Sequence, residues 1–174
     1  MKKKNIDRIN LIILIMICGG IFGFIYETIF YRIDLGYFVK RGSTYGPWIP
    51  IYVFGSLFIF LLTEKYRDKP LIVFLLSTII SGLLEYFTGM FFYEVLNKRI
   101  WDYNTEIWNF GNINGYICLR SVLFFGISGL ILNYLLLPML NKIIKKVNYR
   151  VLNKICIILF SMFVIDVIVY MIMH

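Results

Sequence analysis

Five apolar runs, separated by short polar stretches, occupy most of the chain. Most of the runs approach the roughly 20 residues that a helix needs to cross the hydrocarbon core of a bilayer. Hydrophobic residues make up 60% of the chain, too many for a fold whose whole surface faces water. We therefore predict an all-α, polytopic membrane bundle of about five transmembrane helices, forming one domain over residues 1–174. The predicted spans are 9–31, 48–63, 71–96, 116–140 and 155–173.

Two of these spans have unusual starts. The first follows a lysine run, as a signal peptide would, but its apolar core is too long and no small-residue cleavage site follows, so we predict a retained helix. The second is the shortest and begins beside Pro47 and Pro50. Proline is tolerated there because first-turn amides have no partner within the helix.

The basic residues predict the orientation of the chain. Lysine and arginine are enriched in cytoplasmic loops. With the N-terminus inside, 12 of the 18 basic residues are cytoplasmic, five lie on the other side and Arg120 falls within a span. The sequence therefore predicts a multi-pass protein of the cell membrane with a cytoplasmic N-terminus and an extracytoplasmic C-terminus. The net charge of +8 is then a mark of topology and not of nucleic-acid binding.

Neither the cysteines nor the histidine indicates a metal or redox site. Cys18, Cys118 and Cys156 lie in predicted spans at different depths, without paired spacing. The only histidine, His174, is the last residue of the sequence. We predict no metal site, no cofactor and no catalytic residue.

Two parts of the sequence echo each other, which predicts a duplicated helical hairpin plus one extra helix. Each part has a glycine and a glutamate near the end of a span, a basic pair in the loop, a glycine-containing turn and a later glycine. The paired features are Gly23, Tyr26 and Glu27 with Gly82, Glu85 and Tyr86; Lys40–Arg41 with Lys98–Arg99; 45–47 with 114–116; and Gly55 with Gly126. Two hairpins entering from one side would form a parallel repeat about an axis along the membrane normal.

Small residues predict where the helices pack, because close backbone approach drives helix association in lipid. Gly19 and Gly23 form one such pair. Ser77, Ser81, Glu85 and Gly89 recur every four residues and form a narrow stripe on the third span. This stripe should face protein.

Three charged residues fall inside spans at similar predicted heights in the outer half of the bilayer: Glu27, Glu85 and Arg120. Intramembrane charges are costly unless paired, so we predict a cluster in which the planar guanidinium bridges both carboxylates. One negative charge remains, which Arg41 or Arg99, a cationic ligand or a shared proton would balance. The alternative is an ion-pair network that only fixes helix register.

Asp166 is a separate case, near mid-bilayer in the last span with no basic residue at matching depth. A protonated carboxyl bonded to a neighbouring helix is one interpretation, and a proton relay is the other.

The loop before the fourth span, 97–115, is rich in aromatic and amide residues. It is either a lid over an outer pocket or a segment lying flat on the interface. Trp48, Trp101 and Trp108 fit either an aromatic belt at the outer interface or a binding surface.

Two groups of residues together resemble a bacterial family described as putative ABC-transporter type IV permeases, over roughly 23–130. The first group comprises Glu27, Arg41, Gly42, Tyr45, Gly46, Pro47, Pro50, Ile51, Tyr52 and Gly55. The second comprises Glu85, Trp101, Asp102, Tyr103, Asn112, Gly115, Ile117, Cys118, Leu119, Arg120, Ser121 and Gly126. The resemblance implies transport. Because the sequence has no Walker-type loop, it also implies a separate ATPase partner, with a homo-oligomer as the alternative.

The favoured function is a permease-like or ligand-binding membrane subunit with a polar outer pocket for a small polar or cationic solute. The candidate ligand-binding residues are Glu27, Arg41, Tyr45, Trp48, Glu85, Trp101, Asp102, Tyr103 and Arg120. One alternative is a membrane enzyme acting on lipid or isoprenoid headgroups, which is less favoured because no nucleophile with a base is evident. The other is a sensor or assembly factor. Membrane lipids are the remaining predicted partner.

Overall fold

The computed structural model describes residues 2–173, so Met1 and His174 lie outside it. The helices are α1 (Lys2–Leu35), α2 (Pro50–Thr63), α3 (Pro70–Met90), α4 (Leu119–Ile131), α5 (Leu137–Lys146) and α6 (Tyr149–Met173). A 3-10 turn, Glu64–Tyr66, follows α2. A π-helical turn, Phe91–Val95, extends α3, and a second, Leu132–Leu136, joins α4 to α5. The predicted all-α fold is confirmed.

Four of the predicted spans correspond to helices long and apolar enough to cross a membrane. These helical stretches are Lys3–Leu35, Pro70–Val95, Leu119–Lys146 and Tyr149–Met173. The predicted span 48–63 corresponds to α2, which has only 14 residues. At 1.5 Å per residue α2 is about 21 Å long, against a hydrocarbon core of about 30 Å. The orientation of the chain and a fifth crossing stay predictions.

The chain packs as two units. Unit 1 comprises the described residues of Met1–Leu57 and Tyr134–His174, and unit 2 comprises Phe58–Asn133. Unit 1 therefore contains α1, the start of α2, α5 and α6. Unit 2 contains the end of α2, α3, the long loop and α4.

In unit 1, glycines allow α1 to lie close to the start of α2. A β-carbon on Gly20 would overlap Val53, and one on Gly23 would overlap the ring of Tyr52. Trp48 lies in the same core, only 6% exposed, with its ring edge-on to Phe163 of α6 at 6.0 Å between centroids. The aromatic-belt interpretation is therefore wrong for Trp48, which packs against protein.

In unit 2, α3 and α4 form an antiparallel hairpin along the predicted stripe of small residues. Ser77, Ser81 and Glu85 of α3 are all buried, as predicted. On α4, a β-carbon at Gly129 would overlap the side chain of Ser77. Near the end of α3, a β-carbon on Gly89 would lie 3.2 Å from the ring of Trp101. The small side chains thus set the spacing of the hairpin.

We expect Gly129→Ala to destabilise the protein, because the new methyl group would overlap both the Oγ and Cβ atoms of Ser77. Overpacking of this kind costs about 1–3 kcal/mol. Gly55→Ala is the matched control, since a β-carbon there meets no atom of residues 2–173 within 4 Å. Unfolding by SDS in mixed micelles, followed by circular dichroism, measures both. Equal stability of the two variants would contradict the packing described for unit 2.

Candidate functional site

In unit 1, the loop between α1 and α2 returns a charged side chain to α1. Arg41 donates a hydrogen bond from Nε to Glu27 Oε2 at 3.1 Å, and both side chains are largely buried. The guanidinium also lies over the ring of Tyr31, 3.6 Å from its centroid. Arg41 is one of the two loop arginines predicted to balance the helix carboxylates.

Asp166 of α6 holds the same loop by three hydrogen bonds. The backbone amides of Tyr45 and Gly46 each donate to its carboxylate at 2.8 Å, and Trp48 Nε1 donates at 2.6 Å. Lys40 interacts with it electrostatically and lies over the ring of Tyr45 at 4.6 Å. The sequence favoured a protonated carboxyl bonded to a neighbouring helix, with no basic residue at matching depth. That was wrong as to the partners, which belong to the loop, and as to Lys40. A proton-relay role for Asp166 stays a prediction. The loop reaches it from 118–121 residues away in sequence.

We expect Asp166→Asn to destabilise unit 1, because an amide nitrogen cannot accept hydrogen bonds that a carboxylate oxygen accepts. Hydrogen bonds to a charged group contribute about 1.5–3 kcal/mol each, so a loss of this size is expected. Ser161→Ala, an exposed change on the same helix, serves as the control. SDS unfolding gives the free energy, and the rate of proteolysis within 36–49 reports the loop. Unchanged proteolysis would show that Asp166 does not hold the loop.

In unit 2, Glu85 lies at the centre of a buried polar cluster and is itself 5% exposed. The phenol of Tyr103 donates to Oε1 at 2.5 Å, and the hydroxyl of Ser121 donates to Oε2 at 2.6 Å. Tyr103 comes from the long loop, and Ser121 is the third residue of α4. Sequence reasoning selected Glu85 and Tyr103 as ligand-binding residues and gave Ser121 no such role.

Arg120 completes this cluster with a salt bridge to Glu106. The Nη2–Oε2 distance is 2.5 Å, and the side chains are 16% and 4% exposed, respectively. The guanidinium also lies 5.5 Å from the ring centroid of Tyr103. Glu106 was missed, although it is the only glutamate in the loop. We name Glu85, Tyr103, Glu106, Arg120 and Ser121 the carboxylate cluster.

Asp102 and Trp101, also predicted to bind ligand, take part in the hydrogen bonding that folds the loop. Asp102 forms a salt bridge to Arg99 at 3.2 Å and accepts hydrogen bonds from the backbone and side-chain amides of Asn104. Trp101 Nε1 donates to the carbonyl of Tyr116 at 3.0 Å. These bonds bring the loop back onto its own hairpin, where Tyr103 is buried. Whether the rest of the loop covers a pocket or lies on the interface stays a prediction.

Tyr116, at the end of the loop, bonds to the last turn of the α3 segment. Its hydroxyl donates to Glu94 Oε1 at 2.6 Å, and this hydrogen bond raises the pKa of Tyr116 to about 12. Gly115, immediately before it, has a φ of +77°, which favours glycine. A β-carbon there would also overlap Asp102 and Asn104.

The nine predicted residues divide between the two units. Unit 1 contains Glu27, Arg41, Tyr45 and Trp48, and unit 2 contains Glu85, Trp101, Asp102, Tyr103 and Arg120. A single cluster bridged by Arg120 stays a prediction, because the salt bridge described for Arg120 is the one to Glu106.

A cavity of about 270 Å³ in unit 2 is largely apolar, and no residue of the carboxylate cluster lines it. Its lining comprises Phe58, Leu62, Ile80, Leu83, Leu84, Phe87 and Thr88. It is therefore not the polar pocket that the sequence predicts.

The all-α fold with four long apolar helices defines a multi-pass integral membrane protein. Glu27, Glu85 and Arg120, the charged residues that the sequence places deep within spans, are each engaged by hydrogen bonds or salt bridges, as intramembrane charges require. The chain belongs to the family described as "Putative ABC-transporter type IV", whose model matches residues 14–171. The resemblance drawn from the motifs is thereby confirmed. Neither the curated proteins nor the solved structures contain a match to the chain.

Proposed function

We propose that this transport-related membrane protein binds a small cationic solute at the carboxylate cluster of unit 2. The observation that carries the proposal is the charge of that cluster. Glu85 and Glu106 contribute two negative charges and Arg120 one positive charge, all in a largely buried setting. A cationic solute would be attracted to these two acidic side chains at a place where low polarity strengthens electrostatic attraction.

The two hydroxyl groups that hydrogen-bond to Glu85 support a role in binding a cation. Tyr103 and Ser121 both donate to the carboxylate, and each also has oxygen lone pairs that can accept hydrogen bonds from an ammonium group. The ring of Tyr103 adds a face for cation-π attraction. A site of this kind would distinguish cations from anions by charge.

Thermal stabilisation of the purified protein by a panel of solutes tests this proposal. The panel contains small organic cations, zwitterions, anions, phosphate esters and lipids. A ligand at 100 times its dissociation constant stabilises by about 2.7 kcal/mol. We expect stabilisation by one or more cations in the wild type and in Glu94→Gln, and none in Glu85→Gln. Glu94 is the matched control because it also accepts a hydrogen bond from a tyrosine hydroxyl. Equal stabilisation of Glu85→Gln would contradict the proposal.

A second candidate is a sensor or assembly factor whose ion pairs only fix the helices. The pairing of Glu27 with Arg41 and of Glu106 with Arg120 favours it, since such pairs often serve structure alone. This candidate predicts that Glu85→Gln changes stability while no member of the panel stabilises the wild type.

Membership of an ABC-transporter family suggests association with an ATPase partner. We propose that such a partner would bind on the predicted cytoplasmic side, where the basic residues concentrate.

A further inference from the structure

A line of buried polar side chains runs along unit 2 from Glu85. Ser81 and Ser77 precede Glu85 on the same face of α3 at intervals of four residues, about 6 Å each. Ser77 packs against Gly129 of α4, and the carbonyl of Gly129 accepts a hydrogen bond from Asn133. The line thus continues from α3 to the end of α4.

Three atoms along this line have unmet hydrogen-bonding capacity among the described residues. They are the hydroxyl oxygens of Ser77 and Ser81 and the side-chain oxygen of Asn133. Ser77 and Asn133 are 0% exposed, and Ser81 is 2% exposed. Leaving buried polar atoms without partners costs free energy, and internal water molecules usually occupy such places.

The far end of the line is a second polar group. Asn133 Nδ2 donates to Thr63 Oγ1 at 2.9 Å, and Arg67 Nη2 donates to the backbone carbonyl of Asn133 at 2.8 Å. Asn133 lies in the π-helical turn Leu132–Leu136, a distortion that leaves backbone groups available and is frequent at functional sites. Arg67 lies between the predicted spans 48–63 and 71–96, in a loop that the N-inside orientation places on the cytoplasmic side.

We propose that this line is a hydrated path along which a proton moves between the predicted cytoplasmic end of unit 2 and Glu85. The inference rests on the proposed function, in which Glu85 is the anionic group of the site. Each hydroxyl or water on the path accepts one proton and releases another, so none changes its proton count. At the end of the path, one oxygen of the Glu85 carboxylate gains the proton and becomes a carboxylic acid. It then passes a proton on through the hydroxyl of Tyr103, which accepts one proton and releases another toward the loop, so the carboxylate is restored and one proton has crossed.

Proton flux into liposomes containing the full-length protein tests the path. A pyranine signal follows the internal pH after a potassium diffusion potential is applied with valinomycin. We expect the proton flux into liposomes with the wild-type protein to exceed the flux into protein-free liposomes. Ser81→Val should reduce this excess flux at least tenfold, and Ser81→Thr should retain it. Threonine and valine have nearly the same volume, so the hydroxyl is the difference. Ser128→Val is a further control, because the Ser128 hydroxyl already donates to the carbonyl of Phe124.

Wild-type flux equal to that of protein-free liposomes, or equal flux in Ser81→Val and Ser81→Thr, would overturn the path. The melting temperature of Ser81→Ala gives a second readout if the valine variant does not fold. A hydrated hydroxyl predicts an unchanged or lower melting temperature, whereas a dry, unsatisfied hydroxyl predicts a higher one. A cation that stabilises the wild type without any proton flux leaves the proposed function standing and removes the path. Proton flux without stabilisation by any solute would support the path and contradict cation binding at the cluster.

Discussion

Arg120→Met should lower the free energy of unfolding by about 3–5 kcal/mol, the usual cost of leaving one member of a buried ion pair without its partner. Methionine retains much of the volume of arginine, so lost packing contributes little. The stranded group is Glu106, whose side chain is 4% exposed and cannot recover its hydration while the loop stays folded. SDS unfolding of the variant and the wild type in the same mixed micelles measures the loss.

A double-mutant cycle isolates the salt bridge from other contacts of Arg120. Combined with Arg120→Met, Glu106→Gln removes the stranded charge, and we expect the double variant to regain more than half of the lost free energy. Losses that simply add in the double variant would show that the two residues act independently.

Removal of the hydroxyl groups that bind Glu85 should have the next largest effect. Tyr103→Phe and Ser121→Ala each delete one donor to a buried carboxylate, which costs about 1.5–3 kcal/mol per hydrogen bond. The double variant should lose more than either single variant. Tyr93→Phe is the control, because the contact of its ring with Arg99 at 4.6 Å does not need the hydroxyl. We expect this control to stay within about 0.5 kcal/mol of the wild type.

A result in which Tyr103→Phe is no more destabilising than Tyr93→Phe would contradict this account of Glu85. It would mean that the loop does not bring its phenol to the carboxylate in the membrane-embedded protein.

The helices were predictable because bilayer thickness imposes one strong rule on sequence. Apolar runs of sufficient length had to be helical, and the four long helices follow from that rule. The short α2 shows its limit, since 14 residues are apolar enough to resemble a span but too few to cross a bilayer alone.

The hydrogen-bond partners were mostly not predictable, because they depend on how loops fold. The position of Glu85 deep in a predicted span correctly indicated that its carboxylate needs hydrogen-bond partners. The hydrophobic pattern of the sequence, however, does not indicate which loop residue contacts Glu85. Glu106 lies 14 residues before Arg120, and Asp166 lies 118 residues after Trp48. Loop contacts of this kind follow from turn geometry, such as the positive φ of Gly115, and not from hydropathy.

The loop after α1 and the loop after α3 nevertheless share a feature. In unit 1 the loop returns Arg41 to Glu27, and in unit 2 the loop returns Tyr103 to Glu85. Each unit therefore joins a helix glutamate to its own following loop. The parallel repeat inferred from these echoes stays a prediction.

Direct binding to the carboxylate cluster tests the central claim most directly. The measurement is isothermal titration calorimetry in nanodiscs, with the cation that stabilises the wild type most. We predict one site with the same affinity in the wild type and Glu94→Gln. We also predict affinity at least 100-fold weaker in Glu85→Gln, a difference of about 2.7 kcal/mol. Wild-type affinity in Glu85→Gln, or no binding of any cation to the wild type, would contradict the account.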